Sequence, residues 1–206
     1  MIVNKPAGVL THPVQNSDEN TIQDYLKENF RIEYEFEDDR QGIVHRLDRV
    51  TSGLLVCPLN RETHLDLKSI FQKREIQKKY RAIVEGNLKT DSGTIDLPLA
   101  SSNTNRKKRS VSAQGREAIT EFKVLSNNDK YSWIELNLIT GRNHQIRAHL
   151  EYLKTPIVND ILYGANHHEN LEKNMICLQA FKLKFLLSNE NFEFTIDQPD
   201  YFSSIL

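Results

Sequence analysis

Asp48 stands between Arg46 and Arg49 in the segment Gly42-Ile43-Val44-His45-Arg46-Leu47-Asp48-Arg49, just ahead of the apolar run Gly53-Leu54-Leu55-Val56. Flanking cations favour an ionised carboxylate, and an ionised carboxylate is a nucleophile or a base, not a proton donor. The same residues also fit a loop aspartate that caps a turn and pairs with an arginine. A second cluster is Thr140-Gly141-Arg142-Asn143-His144-Gln145-Ile146-Arg147-Ala148-His149. Gly141 allows a sharp turn between a strand and a helix. Ile146, Leu150 and Leu153 then share the core-facing side of the helix, which turns Arg147 and His144 to another face, where Arg147 can pair with a carboxylate on another loop. His144 and His149 are too unfavourably spaced to offer two metal ligands on one helical face, and no metal is expected. The third cluster, Gln77-Lys78-Lys79-Tyr80-Arg81, opens a strand with an aromatic among cations. Such an aromatic can stack on an extruded base, a contact of about 1–3 kcal/mol. A core tyrosine packed beside Ala82 and Val84 fits the same pattern.

These clusters need a scaffold, and the remaining pattern supplies one. Alternation predicts strands over 53–58, 79–85, 118–125, 132–139, 176–187 and 192–196. Within 132–139 the residues Ile134, Leu136 and Leu138 share one face, and Trp133, Glu135 and Asn137 the other. Helical spacing predicts helices over 21–30, over 60–74 with Asn60 as N-cap, and over 142–153. A polar loop is expected near Asn16–Asn20. Another is expected at Ser101-Ser102-Asn103-Thr104-Asn105-Arg106-Lys107-Lys108-Arg109, exposed and carrying four adjacent cations. Strands dominate and hairpin-like neighbours are common, so the expected class is α+β, a mixed and largely antiparallel sheet with flanking helices. The signals never divide into two clusters, and residues 1–206 read as one domain.

Charge narrows the choice of partner. The chain carries a formal net charge of −1, yet residues 41–110 hold 14 Lys/Arg against 7 Asp/Glu, a local +7. Residues 1–40 stand at −5 and residues 151–206 at −4. A polyanion responds to local potential, not to the molecular total. No apolar run approaches the ~20 residues of a membrane helix. No basic-then-apolar leader opens the chain, so a cytoplasmic location is the default. Cys57 and Cys177 lie in apolar runs without Cys-x-x-Cys spacing and read as reduced, buried thiols.

The stretches Val3-Asn4-Lys5-Pro6-Ala7-Gly8, His45-Arg46-Leu47-Asp48, Lys78-Lys79-Tyr80, Gly141-Arg142-Asn143-His144-Gln145-Ile146-Arg147 and Asn159-Asp160-Ile161-Leu162-Tyr163-Gly164 occur in one order. In that order the chain resembles the RluA-type family of pseudouridine synthases over nearly its whole length. The resemblance implies the pseudouridine synthase fold with a central catalytic cleft. It also implies isomerisation of uridine in RNA to pseudouridine, by breaking the ribose–nitrogen bond, turning the base and rejoining it through carbon. It implies no cofactor. Asp48 matches the family's catalytic aspartate, and attack on the sugar, attack on the base and general-base action all stay open for it. Tyr80 matches the aromatic that packs on the target base, Arg147 the arginine that pairs with the carboxylate, and Arg46 the residue that fills the space of the flipped nucleotide.

Further expected RNA contacts are Arg49, Lys78, Lys79, Arg106, Lys107, Lys108, Arg109, Arg142 and His144. The expected partner is a structured ribosomal or transfer RNA stem-loop, with no membrane and with a monomer as default. Family members usually carry a full strand before Asn-Lys-Pro, where this chain has only Met1, Ile2 and Val3, so a shortened first strand is expected. No S4-like domain is expected before the catalytic region. The late strand reads Leu178-Gln179-Ala180 where the family often has Leu-His-Ala. The alternative is a non-catalytic RNA-binding or RNA-folding module using the same groove. A metal-free hydrolase would need a second carboxylate, and no convincing pair is evident.

Overall fold

A computed structural model describes residues 1–14, 18–32 and 42–205. The polar loop expected near Asn16–Asn20 lies partly outside them. In chain order the elements are β1 (Ile2–Lys5), α1 (Ile22–Asn29), β2 (Ser52–Val56), α2 (Arg61–Lys73), β3 (Ile76–Glu85), β4 (Ser92–Asp96), β5 (Leu99–Ser101), β6 (Arg109–Val111), β7 (Ile119–Asn127), β8 (Tyr131–Leu138), α3 (Gln145–Tyr152), a 3-10 turn (Ile161–Tyr163), β9 (Leu178–Leu187), β10 (Glu190–Thr195) and α4 (Asp200–Ser203).

The main sheet has eight strands in the order β1-β2-β9-β3-β8-β7-β4, with β10 added on β9. Its strand pairings are antiparallel except β2 with β9, which is parallel. The expected mixed, largely antiparallel α+β class is what the chain forms. β5 and β6 make a separate hairpin.

The parallel junction depends on Gly53. This residue has φ 120°, and a Cβ there would fall 2.3 Å from the Ala180 carbonyl oxygen and 2.6 Å from its nitrogen. Only glycine allows β2 to lie this close to β9 while holding that backbone. The loop carrying Asp48 runs directly into this strand, so the contact helps to set where Asp48 stands.

The principal core gathers Leu47, Leu55, Tyr80, Ala82, Ile134, Leu136, Ile146, Leu150 and Leu178 from β2, β3, β8, β9, α3 and the Asp48 loop. Strand β8 alternates as expected, with Ile134, Leu136 and Leu138 buried and Trp133, Glu135 and Asn137 half-buried. Helix α2 is capped by the Asn60 side chain, which accepts from the Thr63 N–H at 2.9 Å. Cys57 and Cys177 are both buried and free, and burial pushes both thiols up to about 12.

Several element ends differ from the sequence expectation by a few residues, and two of these bear on the site. Strand β3 begins at Ile76, because Ile76-Gln77-Lys78 pairs with Leu183–Phe185 of β9, a partner distant in sequence that local pattern does not reveal. Helix α3 begins at Gln145, not at Arg142. The Gln145 side-chain oxygen accepts from Arg142 N–H and from the Thr140 hydroxyl, closing a turn over the residues expected to be helical. Its amide group donates to Ile119 O and Thr120 Oγ1, which fastens the helix start to β7. Strands β4, β5 and β6 were not expected. Their short, polar sequences pair only because β7 and their own hairpin partner complete them.

Candidate active site

The middle of the sheet, where β2, β9, β3 and β8 meet, forms one side of a cleft of about 1120 Å³. Asp48 comes from the loop before β2, Tyr80 from β3 and Arg147 from the first turn of α3, and all three line it. Leu47, the neighbour of Asp48, is held at both backbone groups: its N–H donates to Thr11 Oγ1 and its carbonyl accepts from the same hydroxyl. The Asp48 carbonyl accepts from Thr51 N–H at 3.1 Å. The carboxylate is therefore presented from a fixed backbone.

The guanidinium of Arg147 lies 3.2 Å from Asp48 Oδ2 through Nη1. Its Nε and Nη2 donate to the two oxygens of Asp160 at 2.7 and 2.9 Å. Arg147 and Asp160 are 5% and 1% exposed, so this is a buried bidentate pair. Burial works against the Arg147 charge, but the hydrogen bonds and charges of Asp160 and Asp48 outweigh it and hold the group above its ordinary value. His144 Nε2 stands 3.8 Å from the same Asp48 Oδ2. Both neighbours thus lie on the Oδ2 side of the carboxylate, and among the described residues none pairs with Oδ1.

Tyr80 is 9% exposed and packs beside Leu136 and Leu138 at the floor of the cleft. Burial, with help from the Asp48 charge, raises its hydroxyl well above its usual range, so it is a neutral donor near pH 7. Lys5 is fully buried, and its Nζ donates to the carbonyls of Pro6, Val9 and Arg49. Burial lowers it to about 8, while the Asp48 charge pulls the other way.

The cleft wall is strongly basic. Arg46, Lys68, Arg74, Lys78, Arg109, Arg116, Arg142 and Arg147 line it, and Asp48 is the single carboxylate among the lining residues. Of the expected RNA contacts, Arg46, Lys78, Arg109, Arg142 and His144 reach this wall. The others do not. Arg49 turns away to Glu19 at 2.7 Å and to the Gly8 carbonyl, because the turn at Asp48 points successive side chains apart. Lys79 falls on the opposite face of β3 from Lys78 and Tyr80 and pairs with Glu135 at 2.7 Å. In the basic loop, Arg106 and Lys107 are exposed, whereas Lys108 is half-buried against Glu151 at 2.5 Å. The four cations expected to be exposed together are thus two exposed and two engaged.

Sequence reasoning placed neither Lys68, Arg74 and Arg116 in the wall nor Asp160 behind Arg147. Basic residues on an exposed helix face and at its C-cap were the available signal for Lys68 and Arg74. Asp160 sits within one of the quoted stretches, but nothing local links it to Arg147. His149 is a structural residue, its two ring nitrogens 3.0 Å from Thr120 Oγ1 and from the Leu97 carbonyl oxygen.

A mixed sheet whose cleft holds an arginine-anchored carboxylate in a basic wall is suited to a polyanionic partner. Residues 1–152 match the family model described as RNA pseudouridylate synthase, and the chain belongs to that family. Ribosomal large subunit pseudouridine synthase D of Borreliella burgdorferi is 37% identical over 197 residues, covering 94% of this chain and 60% of the relative. An uncharacterized RNA pseudouridine synthase of Aquifex aeolicus is 33% identical over 222 residues, covering 99% and 68%. The solved structure of human RNA pseudouridylate synthase domain containing 4 superposes with a TM-score of 0.78 at 25% identity, covering 98% of this chain and 86% of that one. The chain spans a little over half the length of several curated relatives it matches.

Proposed function

We propose that this domain isomerises uridine in structured RNA to pseudouridine, with the Asp48 carboxylate as the reactive group. The observation that carries the reading is the Asp48 carboxylate, the single one lining the cleft among the described residues and with Oδ1 unpaired among them, in a wall of eight Lys/Arg residues. A surface that only bound RNA would lose affinity by placing an anion among phosphates. A stacked uridine is out of reach of any side chain, so the nucleotide must leave the helix at a cost of a few kcal/mol. Phosphate contacts to the basic wall offset that cost.

The extruded base enters against Tyr80, which supplies an aromatic face. Asp48 Oδ1 is then the group that engages the nucleotide, while Arg147 keeps Oδ2 in place. Arg46, at the exposed rim, occupies the space the nucleotide leaves. The printed names of relatives refer to the ribosomal large subunit, which makes large-subunit ribosomal RNA the first substrate to try.

The test uses cellular RNA lacking the modification, with pseudouridine mapped by a chemical adduct that stops reverse transcription. New stops are expected with the wild-type protein and none with Asp48→Asn. RNA affinity of the variant should be equal or higher, because a negative charge has left the cleft. Stops that persist with Asp48→Asn would remove Asp48 from the chemistry.

A further inference from the structure

Tyr163, from the 3-10 turn, is 1% exposed and sits where three parts of the site meet. Its ring centroid lies 4.8 Å from Arg147 Cζ and 4.9 Å from Lys108 Nζ. Its hydroxyl oxygen accepts from the backbone N–H of Arg109 at 2.9 Å, and His144 Nδ1 stands 2.9 Å from the same oxygen. A tyrosine hydroxyl has one proton to give. The buried proton needs an acceptor, and since Arg109 N–H is itself a donor, the acceptor within reach is His144 Nδ1. A neutral imidazole that accepts at Nδ1 carries its proton at Nε2. That Nε2 is the atom 3.8 Å from Asp48 Oδ2.

We propose that the buried Tyr163 hydroxyl locks His144 in the Nε2–H tautomer, turning the positive end of the imidazole toward Asp48 Oδ2 as an electrostatic partner 3.8 Å away, and that Tyr163 is a positioning residue joining the basic loop to the carboxylate through Arg109. Oδ2 is then bonded by Arg147 and faced by the His144 Nε2–H, and Oδ1 is the reacting oxygen. The left-handed backbone of His144, φ 54°, supports this reading. Such a conformation is unfavourable for a non-glycine residue, and here it turns the ring toward Tyr163 and Asp48. Burial lowers the imidazole from its usual value and keeps it neutral. Asp48 and Asp160 raise it, while Arg147 and Arg109 lower it.

The inference rests on the isomerase reading for its kinetic consequence but not for the tautomer. In the uniformly nitrogen-15-labelled wild-type protein, long-range proton–nitrogen spectra should show His144 protonated at Nε2. Tyr163→Phe keeps the ring and its cation contacts and removes only the hydroxyl. Nδ1 then loses the donor that opposes its protonation, so the tautomer should become mixed and the His144 pKa should rise. kcat should fall about 10- to 100-fold through misplacement of the carboxylate, with KM for RNA unchanged and the acid limb of the kcat–pH profile moved to higher pH.

His144→Gln can accept from Tyr163 through its oxygen and turn its N–H toward Asp48, so it should retain more activity than His144→Ala. A wild-type His144 protonated at Nδ1 would overturn the proposal. So would a folded Tyr163→Phe with unchanged kcat and profile, or His144→Gln no better than His144→Ala. Absence of pseudouridine from the wild-type protein would sink the isomerase reading instead, and the spectra would still decide the tautomer.

Discussion

Arg147 grips Asp160 with two hydrogen bonds, at 2.7 and 2.9 Å, and offers Asp48 a single nitrogen at 3.2 Å. The buried partner takes the better half of the fork. Asp48 is steered without being neutralised, since one guanidinium serves two carboxylates and the trio carries a net −1.

Asp160→Asn should therefore impair both fold and chemistry. Removing one charge from a buried pair leaves the other uncompensated, a loss of about 3–5 kcal/mol in comparable cases. The freed guanidinium should turn further toward Asp48 and lower kcat, with RNA affinity little changed. Urea denaturation and single-turnover kinetics check the two effects. An Asp160→Asn protein with wild-type stability and kcat would show that the pair supports neither.

The basic loop divides into working parts that sequence did not separate. Arg106 and Lys107 are exposed and free to meet phosphate, while Lys108 is committed to Glu151 and to the ring of Tyr163. Replacing Arg106 and Lys107 with Gln should reduce the salt slope of RNA binding by about 0.7–0.9 per lost phosphate contact. Lys108→Gln should change the slope less and lower stability more. Filter binding across a salt series and thermal melts measure both, and equal slope changes from Lys107 and Lys108 would contradict the division.

Much of this arrangement was legible because it is local. The run Ile134, Leu136, Leu138 announces a half-buried strand, Asn60 announces the start of α2, and Arg46-Leu47-Asp48 followed by an apolar strand announces a presented carboxylate. What stayed hidden is contact between distant segments. Arg147 was expected to meet Asp48, yet its stronger partner lies on a turn 13 residues further on. The link from Arg109 to Tyr163 spans 54 residues and uses a backbone N–H, which carries no sequence identity. Arg49 looked like a flanking cation for Asp48, but a turn separates adjacent side chains, and Glu19 claims it. Periodicity reports which face a residue takes, and it is silent on what that face meets.

Lys78 gives a pH dependence with two opposite signs. Its side chain is half-buried, and burial together with the Arg74 charge lowers it to about 8. Gly141 lies beside it, since a Cβ there would fall 3.2 Å from Lys78 Nζ, and the half-buried His45 is lowered to about 3 by burial and by the Lys78 charge. Among the described residues no ion pair includes Lys78. An unfolded chain holds the lysine proton up to about 10.4. Between about 8 and about 10.4 the unfolded state binds the extra proton, so stability should rise with pH there, with Lys5 contributing in the same sense. RNA binding should move the other way. A phosphate favours charged Lys78, so affinity is full below about 8 and should fall about tenfold by pH 9 as the free protein loses that proton. Lys78→Arg keeps its charge and should bind with little pH dependence. Lys5, enclosed by three carbonyls away from phosphate, is unchanged in that variant, which separates the two lysines. Titration of RNA affinity from pH 7 to pH 9 in both proteins decides the matter, and an equal fall in Lys78→Arg would place the titrating group elsewhere.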